Sequence, residues 1–305
     1  MAINHKTSWL QEAVREIVGK QHYTLVLQLT AIFFISKGLG PYRPAYWDAP
    51  VVVLCIMFLL NKRFLTNRGL WFLIFLYVMA LNFVYFEISA NHFYLIAYWS
   101  LACALALGTH NQDKDTILRQ NARMLLGLSF CFAALWKIMT GEYINGSFFH
   151  YSFLTRFIDS DSVPLITWIL SPVELAENIR LKQVLQHLPV NNGSVALTTS
   201  NSIRYFSHLL SLWTLLIEAV IGVAFLFNQP KFIARKRDYL LMLFILTTFI
   251  FIPIDRFALI LILLGLAQCP QERRRLKVAY LTIFIVMQFV VFVDPFTNHF
   301  EQMFR

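Results

Sequence analysis

Residues 91–107 read NHFYLIAYWSLACALAL, residues 117–139 read ILRQNARMLLGLSFCFAALWKIM, and the chain then turns through Gly141-Glu142-Tyr143-Ile144-Asn145-Gly146 towards Tyr151. Two consecutive apolar segments of roughly the length that crosses a bilayer thus carry an Asn-His pair at the head of one and Lys137 near the end of the other. An ionisable group held in or at the edge of lipid is costly, which makes these positions the first candidates for a role.

Composition agrees with what this stretch implies. The chain has 305 residues, of which 58% are hydrophobic and 16% aromatic, more than a soluble core needs, and the apolar residues come in blocks rather than stripes. The expected fold is all-α, a polytopic transmembrane helical bundle of the cell membrane. Its spans run at 23–36, 49–60, 69–88, 92–107, 123–139, 205–227, 239–254, 257–269 and 276–293. Those at 23, 49 and 257 fall short of the roughly 20 residues of an upright crossing.

The formal charge of +9 reflects basic residues in the short links between blocks, where they set topology, and nucleic acid is therefore not an expected partner. Seventeen of the 26 Lys and Arg fall on segments that are inward if the N-terminus is inside, among them Lys62, Arg63, Arg68, Lys231, Arg235, Lys236 and Arg237. The positive-inside bias thus predicts nine spans with the N-terminus inside and the C-terminus outside. The polar, mixed-charge start predicts a retained first span rather than a cleaved signal peptide.

Outside the spans two segments have structure of their own. Residues 1–21 form a leader: Ser8 and Gln11 make a capping box, and Trp9, Leu10, Ala13, Val14, Ile17 and Val18 share one face. This is a helix lying on the membrane surface or facing solvent. The domain that follows covers residues 22–305 and includes an outer loop at 140–204. In that loop Ser171-Pro172-Val173-Glu174 combines a cap, a proline at the first helical position and a glutamate three after the cap, which predicts a helix to about His187. Asn191-Asn192-Gly193-Ser194 reads as a turn. Cys55, Cys103, Cys131 and Cys269 sit in or at the ends of apolar blocks without CxxC spacing, so neither a disulfide framework nor a metal site is expected.

Taken in order, Asn91-His92-x-Tyr94-Leu95, then Leu118-Arg119-Gln120, then Phe132, Ala133 and Lys137, then Tyr143 and Gly146 resemble the membrane core of the vitamin K-dependent gamma-carboxylases and their bacterial relatives, the HTTM domain proteins. The likeness runs over about residues 91–151 and more faintly through His208, Glu218 and the closing spans. Ala134 stands where the family has a glycine before the lysine, and Tyr143 where it has a tryptophan. No histidine occurs in 244–246, and the large extramembrane region with which the carboxylases engage substrate protein is not expected here.

The resemblance implies that Lys137 is a base towards a reduced, vitamin K-like quinone, whose oxygenation yields the strong base that removes a gamma proton from a glutamate before CO2 adds. A lysine desolvated in lipid suits that role. Asn91 and His92 begin a span on the outer side and Lys137 ends one there, so all three are catalytic candidates around one outward-facing pocket.

Each candidate also has a structural reading. Lys137 at a boundary is an anchor whose amine reaches water, and His92 is a helix cap. Glu218, flanked by Leu215, Leu216, Ile217 and Val220, lies about 20 Å along its span and must be protonated or paired. It is either an interhelical hydrogen-bond partner or, with His208 and Trp213 of the same span, part of a cofactor cavity.

The alternative function is that of a non-catalytic membrane factor for maturation, export or immunity of a secreted peptide, acting through the outer loop; the partners are then the bilayer and a secreted peptide or protein. A transporter is the third reading, weakened by the lack of an inverted repeat.

Overall fold

A computed structural model describes residues 22–38, 45–87, 91–109, 113–155, 172–187, 199–227, 231–251, 255–270 and 272–303. The leader helix expected over residues 1–21 and the turn expected at 191–194 lie outside the described residues. Among the described residues the secondary structure is helical throughout and contains no strand, so the all-α expectation holds. All nine apolar blocks fall on helices: His22–Lys37, Ala49–Leu60, Arg68–Val84, Asn91–Leu107, Lys114–Thr140, Asn201–Leu226, Lys231–Phe251, Asp255–Gln268 and Arg274–Met303.

Length separates them. Lys114–Thr140 and Asn201–Leu226, of 27 and 26 residues, are long and apolar enough to cross a membrane. Ala49–Leu60, with 12 residues, extends about 18 Å, well short of a hydrocarbon core of about 30 Å. The loop helix read from its cap signature is present as Pro172–His187. A second one, Ser147–Thr155, had no such signature; it is held by the packing of Phe148, Phe149 and Phe153.

The chain divides into two compact units, residues 1–126 with 255–305, and residues 127–254. In the first, the Asp255–Gln268 helix is buried all round from Ala258 to Gln268, as expected of a helix with no polar face and no room for one. His22–Lys37 packs on it and on Ala49–Leu60, and Arg68–Val84 pairs with Asn91–Leu107. Buried indoles tie these helices together: Trp99 Nε1 donates to Thr30 Oγ1 at 3.0 Å and Trp71 Nε1 donates to the Leu65 carbonyl at 2.7 Å. Arg274–Met303 approaches Asp255–Gln268 so closely that a Cβ on Gly265 would lie 2.5 Å from the Tyr280 ring.

In the second unit Asn201–Leu226 is the hub, packing on Ser147–Thr155 and Lys231–Phe251. Ser200 caps it, accepting from the Ile203 amide. The end of Lys114–Thr140 meets it backbone to backbone: a Cβ on Gly222 would lie 2.9 Å from the Cys131 amide nitrogen and 2.7 Å from its Sγ. Small residues at such a crossing let two helices close without interposed side chains. Gly222→Leu is therefore expected to cost about 1–3 kcal/mol by overpacking. Thermal unfolding of the detergent-solubilised chain measures it, and a melting point equal to that of the unaltered chain would contradict the close crossing.

Candidate functional site

The two membrane-length helices share a pattern that soluble helices lack. On Asn201–Leu226 the exposed residues include Tyr205, Leu209 and Leu216, while Ser207, Ser211, Thr214 and Glu218 are buried. On Lys114–Thr140 the exposed residues include Phe132, Trp136 and Met139, and the lysine between them is turned inward. Large apolar side chains are thus exposed while several polar ones are buried among Ile203, Leu210, Ile217 and Ile221.

The inward polar groups meet. Lys137 Nζ donates to Glu218 Oε1 at 2.5 Å, with the lysine side chain 13% and the glutamate side chain 7% exposed. The reading of Lys137 as an anchor reaching for water does not describe this geometry. The ammonium also lies 4.6 Å from the centroid of the Tyr143 ring, so a carboxylate and an aromatic face bracket the same charge. The other carboxylate oxygen, Glu218 Oε2, is buried and makes no hydrogen bond among the described residues.

The turn after Lys114–Thr140 positions Tyr143. Gly141 and Gly146 both have positive φ, 72° and 77°, which lets the chain reverse within six residues, and the Gly141 carbonyl accepts from the Ile144 and Asn145 amides. Gly146 rests on the Asn201–Leu226 helix, where a Cβ would lie 2.9 Å from His208 Cα, so no other residue fits both the space and the angle. Asn145 Oδ1 then accepts from the Ser147 amide and starts the Ser147–Thr155 helix. Phe148 stacks on Tyr143 at 4.5 Å and Phe149 meets it edge-on at 5.8 Å. Burial, and after it the charges of Glu218 and Glu142, push the Tyr143 hydroxyl up from its usual range, so it stays protonated and is a donor at neutral pH.

The remaining candidates are placed differently. His208 is exposed beside Gly146, and Trp213, 38% exposed, lies about 140° around the helix from Glu218 at 3.6 residues per turn. Ser207 and Ser211, not singled out in the sequence, share the buried face with Glu218, and neither hydroxyl has a hydrogen-bond partner among the described residues. Their signal was the spacing of 207, 211 and 218 on one face.

Asn91 and His92 belong to the first unit. The side chain of Asn91 lies outside the described residues. His92 packs between Phe93 at 4.4 Å and Phe257 at 5.9 Å, near the charges of Arg256 and Asp255. Asp255 is bonded by Lys37 and by the Arg256 amide, and Arg256 Nε donates to the Lys37 carbonyl at 2.8 Å. This cluster was missed because Lys37 and Asp255 lie 218 residues apart. No known protein family, curated protein or solved structure matches the chain.

A buried pair is tested by removing one member and then both. Lys137→Met or Glu218→Leu alone leaves an uncompensated buried charge and is expected to destabilise by about 3–5 kcal/mol. The double variant is expected to recover most of that loss, and losses that simply add would show that the two side chains do not interact.

Proposed function

We propose that the chain is a multi-pass protein of the cell membrane whose Lys137–Glu218 pair is a proton-handling centre, working in the manner of the carboxylase-type membrane cores it resembles. The observation that carries this reading is the ion pair itself, placed between two helices whose outer faces are apolar. Nine spans, with the N-terminus inside, go with it.

Most buried polar atoms have a hydrogen-bond partner, whereas Glu218 Oε2 makes none among the described residues, and the Glu218 charge acts on the Tyr143 hydroxyl. A proton moved along the Lys137–Glu218 hydrogen bond yields an amine and a carboxylic acid, and the amine is then a base. Glu218 in this scheme stores the proton that Lys137 gives up, and the Tyr143 hydroxyl supplies a donor.

The group that fits is flat, aromatic and hydroxyl-bearing, because its hydroxyl can hydrogen-bond to the free Glu218 oxygen and give its proton to the Lys137 amine, and the Tyr143 and Phe148 rings offer faces. A reduced quinone would supply an acidic hydroxyl and electrons for reaction with oxygen, and Lys137, Glu218 and Tyr143 would hold it. Whether the final acceptor is a glutamate side chain of a secreted protein depends on the outer loop.

The second reading, a non-catalytic factor for a secreted peptide, draws on the Pro172–His187 helix, which leaves Val173 78% exposed as a contact surface. One set of variants separates the two. With the purified chain in liposomes and reduced vitamin K as probe, Lys137→Ala is expected to lower quinol consumption by about 100-fold or more. The Lys137→Met, Glu218→Met double variant is expected to stay folded and inactive. Full turnover in both would remove the base, and loss of biological activity only on replacing residues 165–200 would favour the docking role.

Topology is checked independently. Alkaline phosphatase fused after Ala196 is expected to be active, and fused after Arg68 or Lys236 inactive; the opposite pattern would reverse the orientation.

A further inference from the structure

In the first unit a cavity of about 420 Å³ opens between the start of the His22–Lys37 helix and the segment from Phe58 to Leu65. Its volume falls within the range of small-ligand sites, about 300–1,000 Å³. Its walls divide by chemistry. Phe58 and Leu65, each 1% exposed, form the floor, and Leu59 and Leu60, 40% and 82% exposed, carry the apolar surface outwards. Thr24 and Gln28, one helical turn apart, and Lys62 supply the polar side.

Two features call for a ligand rather than packing alone. Thr24 lines the cavity and is 7% exposed, and among the described residues its buried hydroxyl makes no hydrogen bond. Lys62 lies exposed at the rim, and Arg63 follows it, with no acidic residue between Asp48 and Glu87 to balance them. A buried hydroxyl, a lysine at the mouth and an apolar lip match a molecule with an anionic head, ester oxygens below it and hydrocarbon leaving over leucines.

We infer that this cavity holds the head and glycerol-ester portion of one anionic glycerophospholipid of the inner leaflet. Lys62 faces the phosphate, as juxtamembrane basic residues do on the cytoplasmic side. Thr24 and Gln28 donate to ester carbonyls, and the acyl chains run out over Leu59 and Leu60. The inference rests on the membrane reading above but not on the chemistry at Lys137.

The test uses the full chain purified in detergent and titrated with short-chain phosphatidylglycerol, short-chain phosphatidylcholine or inorganic phosphate, read by thermal shift and native mass spectrometry. Phosphatidylglycerol is expected to bind and raise the melting point, with the other two much weaker. Lys62→Gln is expected to weaken phosphatidylglycerol about fivefold, the effect of one basic residue at a lipid surface. Thr24→Val is expected to weaken both lipids, and Lys231→Gln, the same charge change elsewhere, to leave the titration unaltered.

Equal binding of both lipids, the same response to phosphate alone, or equal weakening by Lys231→Gln would overturn the site. Lys137→Met serves as the reference for the first proposal and is expected to keep its lipid preference. Alkaline carbonate washing of membranes separates the failures. A chain that stays in the membrane and shows no lipid preference refutes this inference alone, whereas a chain released by carbonate refutes the membrane reading.

Discussion

The second unit turns on the hydrogen-bonded ion pair between Lys137 and Glu218, whose side chains are both largely buried. Taking each ion out of water costs several kcal/mol, and only their mutual attraction in a poorly screened environment offsets it. Rotating either helix would separate the pair and leave one buried charge without its partner. The pair therefore fixes the facing of both helices, and the crossing at Gly222 and Cys131 then brings their backbones together. Tyr143 closes the arrangement from the third side, which is why the turn that carries it needs glycine at both 141 and 146.

The first unit solves a different problem. Its central helix, Asp255–Gln268, buries every side from Ala258 onwards, so it needs partners all round, and His22–Lys37 and Ala49–Leu60, with 16 and 12 residues, fall short of an upright crossing. At its head Asp255 and Arg256 engage Lys37 through a side chain and a carbonyl. That network takes the ends of two helices distant in sequence and satisfies polar groups that would otherwise be stranded beside Phe257 and His92.

What was legible in the sequence follows from this division. Helix positions were readable because apolar blocks and cap signatures are local: Ser171-Pro172-x-Glu174 anticipates the helix described as Pro172–His187. Lys137 and Glu218 were each readable as costly residues, but their pairing was not. Counting from Tyr205 set Glu218 about 20 Å along its span, far from a lysine at the boundary. The helix in fact starts at Asn201, and its first turns run beside the Ser147–Thr155 helix, with Phe206 against Phe153. At 26 residues it is about 39 Å long, more than a hydrocarbon core requires, so residue number from one end is a poor measure of depth.

That excess length bears on how the site would work. The Ser207 and Ser211 hydroxyls lie on the helix face that continues inward to Glu218, all three buried. Serine in a helix usually returns its hydroxyl to a carbonyl one turn back, as Thr214 does to Leu210. Among the described residues Ser207 and Ser211 make no such bond, and they share a face with the Glu218 oxygen that also makes none. A buried stripe with hydrogen-bonding capacity left over is unfavourable as packing alone. It becomes intelligible if protons or a hydroxyl-bearing molecule reach Glu218 along that face, because each group then has a partner during the event that the resting arrangement does not provide.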